Sequence, residues 1–178
     1  MEMDAFTFAK LAGTSGISKA TAATYADGNA WLTALVTAQS KMDEDEVPTE
    51  GRILYITPTG YNAIMAVDTT KSKEVMQSFS KVVKVPQTRF YTAIDLYDGK
   101  TSGEEAGGFV KDATNGKDIN FMVVHKGAII KYPKHRVNKV ISPELNQDKD
   151  GWMFFYRAYG LVDVYENKVA GIYLSNKA

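Results

Sequence analysis

The chain has 178 residues, 44% of them hydrophobic and 24% charged, the composition of one ordinary domain or two small lobes and not of a disordered or fibrous chain. Twenty-one Lys and Arg balance twenty-one Asp and Glu, so no net charge draws in nucleic acid or an anionic membrane at long range, and composition argues against a dedicated nucleic-acid binder. With no cysteine, disulfides and thiolate metal sites are excluded, which is compatible with a reducing compartment.

The N-terminus, Met1-Glu2-Met3-Asp4, is acidic where a signal peptide is basic, and no apolar run approaches the roughly 20 residues that span a bilayer. Over 2–11, Met3, Phe6, Ala9 and Lys10 fall on or beside one helical face, and Gly13-Thr14-Ser15-Gly16 stops the pattern. A second helix is predicted from Asp27 as N-cap, with Trp31, Leu32, Leu35, Val36, Gln39 and Met42 as its apolar stripe, ending before Pro48. Strand 53–56 leads through Thr57-Pro58, an N-cap with proline at the first helical position, into helix 58–67. Lys71 to Lys81 repeats the helical spacing with Val75, Met76 and Phe79, and Val82 to Val85 is extended.

Thr88 to Leu96 reads as a strand, and 98–118, with five glycines, as a long loop or bent hairpin that is mobile in the isolated chain. Ile119 to Val124 is a buried strand, Lys126 to Lys131 one or two helical turns, His135 to Ile141 extended, and Pro143 to Gly151 a polar turn. From Trp152 to Tyr165 the chain is apolar or aromatic on both alternations, the pattern of a strand covered on both sides. Glu166-Asn167 reads as a hairpin turn into Lys168 to Leu174. The fold class is mixed α/β (α+β).

Motifs for chemistry fail one after another. Asp43-Glu44-Asp45-Glu46 supplies carboxylates for a hydrolase, but neighbours in sequence rarely converge on one substrate atom, and an exposed run does not raise a carboxylate pKa. Asn146, Asp148, Asp150 and Gly151 open like a helix-loop-helix calcium loop, the basis for an alternative reading as a calcium-dependent binding module. The twelfth position is then Arg157 where a bidentate Glu is needed. A zinc site needs both His125 and His135 plus a carboxylate. No nucleophile elbow, phosphate-binding loop or dinucleotide fingerprint is present. Arg157 lies within the aromatic stripe Trp152 to Tyr159, which suits core packing better than base stacking at neutral net charge. Lys131, Lys134, His135, Arg136 and Lys139 form one basic cluster, with water as its default neighbour. The expectation is therefore no catalytic residue, no metal and no cofactor.

Three stretches carry a resemblance: KMDEDEVPTEGRILYITPTGYNAI at 41–64, VPQTRFYTAIDLYDG at 85–99, and KDINFMVVHKGAIIKYPKHRVNKVISPELNQDKDGWMFFYRAYGLVDVYENKVAGIYL at 117–174. In order and spacing they resemble major capsid proteins of tailed bacteriophages that infect Gram-positive bacteria, and the resemblance runs over nearly the whole chain. It implies a tailed-phage major capsid fold with an axial domain at 22–130 and 160–178, a peripheral-domain hairpin at 131–159, and the end of a spine helix and linker at 1–21. It implies a structural subunit of an icosahedral phage or prophage shell, not an enzyme. Its partners would be other copies of itself in capsomers and, indirectly, packaged DNA, with no membrane. The virion would be its location and the host cytoplasm its place of assembly. A bacterial encapsulation compartment is the same-fold alternative. The family's N-terminal arm, extended loop and most of its spine helix find no counterpart here. The chain is accordingly expected to be a fragment that folds but stays a monomer or weak oligomer until that segment is restored.

Overall fold

A computed structural model describes residues 4–67, 69–146 and 150–178. In chain order the elements are α1 (Ala5–Ala12), β1 (Ser18–Lys19), α2 (Gly28–Glu44), β2 (Arg52–Ile56), α3 (Pro58–Val67), α4 (Thr70–Gln77) and β3 (Lys81–Lys84). There follow β4 (Ile94–Leu96), β5 (Phe109–Lys111), β6 (Ile119–His125), β7 (Ile129–Ile141), β8 (Met153–Val164) and β9 (Ile172–Asn176). The chain divides into two compact units, one comprising the residues up to Ile129 with Val164–Ala178, the other Ile130–Asp163.

The first unit is built on a five-stranded sheet in the order β1-β9-β6-β2-β3. β6 runs antiparallel to both β2 and β9, whereas β2 and β3 are parallel. Two parallel neighbours need a crossover, and α3 and α4 supply it. Helix starts follow their capping residues. The Asp27 carboxylate accepts from Ala30 N at 2.8 Å, and Thr57 Oγ1 accepts from Gly60 N at 3.3 Å, so each uses an amide that the helix itself leaves unpaired. Thr69 and Ser72 form a reciprocal capping box on α4.

The core lies between the sheet and α2–α4. Leu54, Ile56, Phe121, Val123 and Tyr173 meet Trp31, Leu32, Leu35, Ala38 and Met42 of α2, Ile64 of α3, and Val75 and Phe79 in and after α4. Close approach is built in at Gly28, where an added Cβ would stand 2.2 Å from the Ala63 carbonyl oxygen. Residues of opposite parity point to the other side of the sheet. There the Tyr55 ring meets Phe8 of α1 at 5.2 Å, and Phe8 meets Phe90 at 4.7 Å, both edge-on. The buried face of α1 is therefore Ala5, Phe8, Leu11 and Ala12, and Phe6, expected on that face, is half exposed. Met3 lies outside the described residues.

Four expectations are corrected. Thr88 to Leu96 is not one strand: a 3-10 turn occupies Gln87–Arg89, and Phe90 drops into the core. Tyr91 makes an isolated antiparallel bridge to Asp118, and Ile94–Leu96 pairs with β5, so that the 98–108 segment is the bend of a hairpin. The Gln87 side-chain amide donates to the Phe90 carbonyl at 2.9 Å, and this local bond holds the turn against extension. Lys126 to Lys131 is not helical. Ala128 N donates to the His125 carbonyl at 2.9 Å, and Ala128 and Ile129 are already buried, so the chain turns tightly into β7. Glu166-Asn167 does not join a hairpin: 166–171 is a 3-10 segment, and β9 pairs with β6 and β1. Burial of Ile172, Tyr173 and Leu174 inside the five-stranded sheet outweighs the local turn signal.

The fourth correction concerns Trp152 to Tyr165, which is not covered on both sides. β8 pairs only with β7, and its large side chains face solvent. An aromatic run looks the same in sequence whether its cover belongs to the same chain or to another molecule.

Candidate interaction surface

The second unit is a two-stranded ribbon of β7 and β8. Gly160 lies beside Tyr132, and Arg157 beside His135, so that residue numbers rise on one strand as they fall on the other and the pair runs antiparallel. Among the described residues of this unit, no second sheet and no α-helix is present to cover either strand. Trp152, Phe154 and Tyr156 are 62%, 76% and 70% exposed, and Phe155, Tyr159 and Leu161 about half. Alternation puts Phe154 and Tyr156 on one face and Phe155, Arg157 and Tyr159 on the other.

Charge is as uneven as the aromatic exposure. β7 carries Lys131, Lys134, Arg136 and Lys139 and no carboxylate; β8 adds Arg157, with Asp163 the one acidic residue of either strand. Arg157 Nη2 donates to His135 Nε2 at 3.3 Å, and Lys134 Nζ stands 5.9 Å from the centre of the Tyr159 ring. Two shallow grooves share Arg157. Val137, Lys139, Phe155 and Tyr156 line one, and Lys134, His135, Ala158 and Tyr159 the other.

The candidates for chemistry are scattered. Asp43 is bound by Arg52, whose Nη2 donates to it at 2.6 Å and whose Nε donates to the Pro48 carbonyl at 3.1 Å. Asp45 is paired with Lys41 at 2.6 Å. The acidic exit of α2 thus serves to anchor the chain between α2 and β2. Arg52 itself is buried, a structural role that its place at the start of a short strand does not reveal. His125 lies in the first unit, its Nε2 3.1 Å from the Glu50 carbonyl oxygen and its Nδ1 accepting from Gly127 N. His135 lies in the second unit beside Arg157. Among the described residues no three His, Asp or Glu side chains gather as metal ligands. Asn146 Nδ2 donates to the Gly151 carbonyl at 2.9 Å, but strands flank this turn instead of the helices a calcium loop needs, and Asp148 lies outside the described residues.

Among the described residues, the carboxylates with displaced titration are displaced downward, the opposite of what a general acid needs. Backbone amides of Thr101 and Lys100 hold Asp98 low, and those of Asn115 and Thr114 hold Asp112 low. Partial burial pushes Asp118 up, but the Lys177 and Lys111 ammonium groups, each 3.1 Å away, outweigh it. Among the described residues, no helix is long and apolar enough to cross a membrane.

The architecture is a mixed α+β fold in which the two-stranded ribbon falls, in chain order, between β6 and β9. No family model matches the sequence, and no curated protein matches it. Solved structures do share its fold. The capsid structure of cyanophage P-SCSP1u matches 98% of this chain with a TM-score of 0.59 at 18% identity. A virus-like particle from Pyrococcus furiosus matches 93% with a TM-score of 0.57 at 10% identity, and a structure from Mycobacterium phage Che8 matches 96% with a TM-score of 0.56 at 11% identity. The chain spans 60%, 58% and 56% of the length of those three chains, respectively.

Proposed function

We propose that this chain is a structural subunit of an icosahedral tailed-phage or prophage capsid shell, associating with copies of itself in capsomers that enclose DNA. The observation that carries the reading is the match of over nine-tenths of the chain to a cyanophage capsid structure and to a virus-like particle. In this reading the five-stranded unit is the axial domain, the β7–β8 ribbon belongs to the peripheral domain, and α1 is the end of the spine helix. A subunit of a bacterial encapsulation compartment is the second reading, favoured by the Pyrococcus furiosus particle at a TM-score of 0.57.

Electron microscopy and light scattering of the full gene product that carries this sequence test the proposal. Closed shells are expected. Particles that hold nucleic acid favour the capsid, and particles that hold protein cargo favour the compartment. A product that remains monomeric at every concentration overturns both.

A further inference from the structure

In the five-stranded unit, we infer that the groove between α2 and the 20–25 segment receives the apolar patch that α1 and β4 expose on another copy of this chain. The inference rests on the shell reading and adds to it the two surfaces that meet. From Ala20 to Ser40 the only charged residue is Asp27, the N-cap of α2, in a chain of which 24% is charged. Thr21, Thr24, Asn29, Thr33 and Thr37 are nevertheless exposed. A helix face turned to water normally carries charge, whereas the centres of interfaces are depleted of it. Ala30, Thr33, Ala34 and Thr37 form one wall of the groove, and Ala20 and Ala23 the other. The Thr33 and Thr37 hydroxyls donate to the carbonyls of Asn29 and Thr33, each at 2.9 Å, so the α2 wall has few free donors.

Tyr173 points to a partner independently. Only 5% exposed, it stacks on Phe121 at 6.3 Å within the core and also lines the groove. The Tyr25 hydroxyl is bonded to Ser175 Oγ at 2.8 Å, whereas among the described residues that of Tyr173 has no hydrogen-bond partner. A nearly buried hydroxyl left unpaired, on a residue that lines an uncharged groove, calls for a group brought from outside. The complementary surface lies on the other side of the same sheet. There α1 packs through Phe8 on Tyr55, and Phe6, Ala9, Ile94 and Leu96 line a patch in which Lys10 is the one charged residue. Phe6 is 49% and Leu96 61% exposed. Patches on opposite sides of one layer cannot both sit at a single two-fold interface. They join head to tail, the arrangement that closes into rings. Other occupants fit less well: nucleic acid and charged peptides find no counter-charge along the groove, and a small molecule in so open a site would stay mostly in water.

The chain has no cysteine, so thiols introduced by substitution are the only ones a cross-linker can reach. A short bis-maleimide bridges them without the strict geometry of a disulfide. At high concentration, copies carrying Thr37→Cys mixed with copies carrying Leu96→Cys should cross-link to a dimer, and each alone should give only background. The double variant T37C/L96C should give a ladder of higher multimers. By sedimentation, Ala34→Glu or Leu96→Glu should weaken association roughly tenfold or more, because each buries an unpaired charge. Tyr173→Phe should weaken it roughly two- to tenfold, the worth of one hydrogen bond, while its thermal midpoint stays the same or rises, a split that a merely structural hydroxyl would not produce. Far-UV circular dichroism verifies that each variant folds. The inference is overturned if the mixture gives no dimer, if Thr37→Cys copies cross-link among themselves as well as with Leu96→Cys copies, or if both glutamate variants associate like wild type. Electron microscopy of the full gene product separates it from the shell reading: particles without the cross-link overturn the inference alone, and the cross-link without particles overturns the shell and supports the contact.

Discussion

Tyr55 shows how one atom sits at odds with its surroundings. Its ring completes the aromatic cluster with Phe8, but its hydroxyl is buried and, among the described residues, has no hydrogen-bond partner. Such a group forfeits its water without replacement. Tyr55→Phe keeps the ring contacts and should raise stability by about 1 kcal/mol, visible as a thermal midpoint higher by a few degrees. Burial also pushes the Tyr55 phenol above its ordinary range. The folded state then holds that proton more tightly than the unfolded chain, and wild-type stability must fall as pH rises past about 10. The advantage of the Phe variant should therefore widen in alkaline buffer, and a gap that narrows there would contradict this account.

At the scale of elements, the same chain contains strands held in very different ways. β6 is the centre of its sheet, paired on both edges, with Ile119 to Val124 all buried. Asn120, the extra residue where β6 and β9 slip register, is satisfied by donating to the Ala23 carbonyl at 2.8 Å. The β4–β5 hairpin has instead a bend from 98 to 108 in which Gly99, Gly103 and Gly107 adopt positive φ in open space. Its order comes from short local bonds such as Asp98 accepting from Lys100 and Thr101. β7 and β8 have one partner each, and two-stranded ribbons are marginal by themselves. Hydrogen exchange should accordingly find β6 amides opening only with global unfolding, and those of 98–108 and of the ribbon exchanging orders of magnitude sooner. Equal protection of β6 and the ribbon in the free chain would refute this ranking.

For the molecule as a whole, the two units contribute unequally to folding. Every buried hydrophobic residue among those described belongs to the first unit, including Ile129 and Val164 at the ribbon's base. Tyr165 N donates to the Ala128 carbonyl at 3.1 Å, so the chain leaves and re-enters that unit at nearly the same point. Replacing Ile130–Asp163 by a short Gly-Ser turn should therefore leave the first unit folded, with a thermal midpoint within a few degrees of wild type by circular dichroism. Loss of cooperative unfolding in that variant would mean the ribbon helps to build the core.

Much of the first unit was legible in the sequence because its signals are local. Asp27 and Thr57-Pro58 announce helices through groups only three residues away, and the stripe from Trp31 to Met42 and the run Ile119 to Val124 show which surfaces are buried. Strand partners were not legible, since pairing joins residues far apart: β9 joins β6 and β1 because the sheet buries Ile172 to Leu174, whatever Glu166-Asn167 prefers locally. The candidate surface was misjudged for the same reason. Aromatic residues from Trp152 to Tyr159 read as core in sequence, and the basic cluster on β7 as merely solvated. Only the tertiary structure decided that both belong to one two-stranded ribbon whose aromatic side chains are exposed among the described residues, because cover is a property of what packs against a strand and is not written in the strand itself.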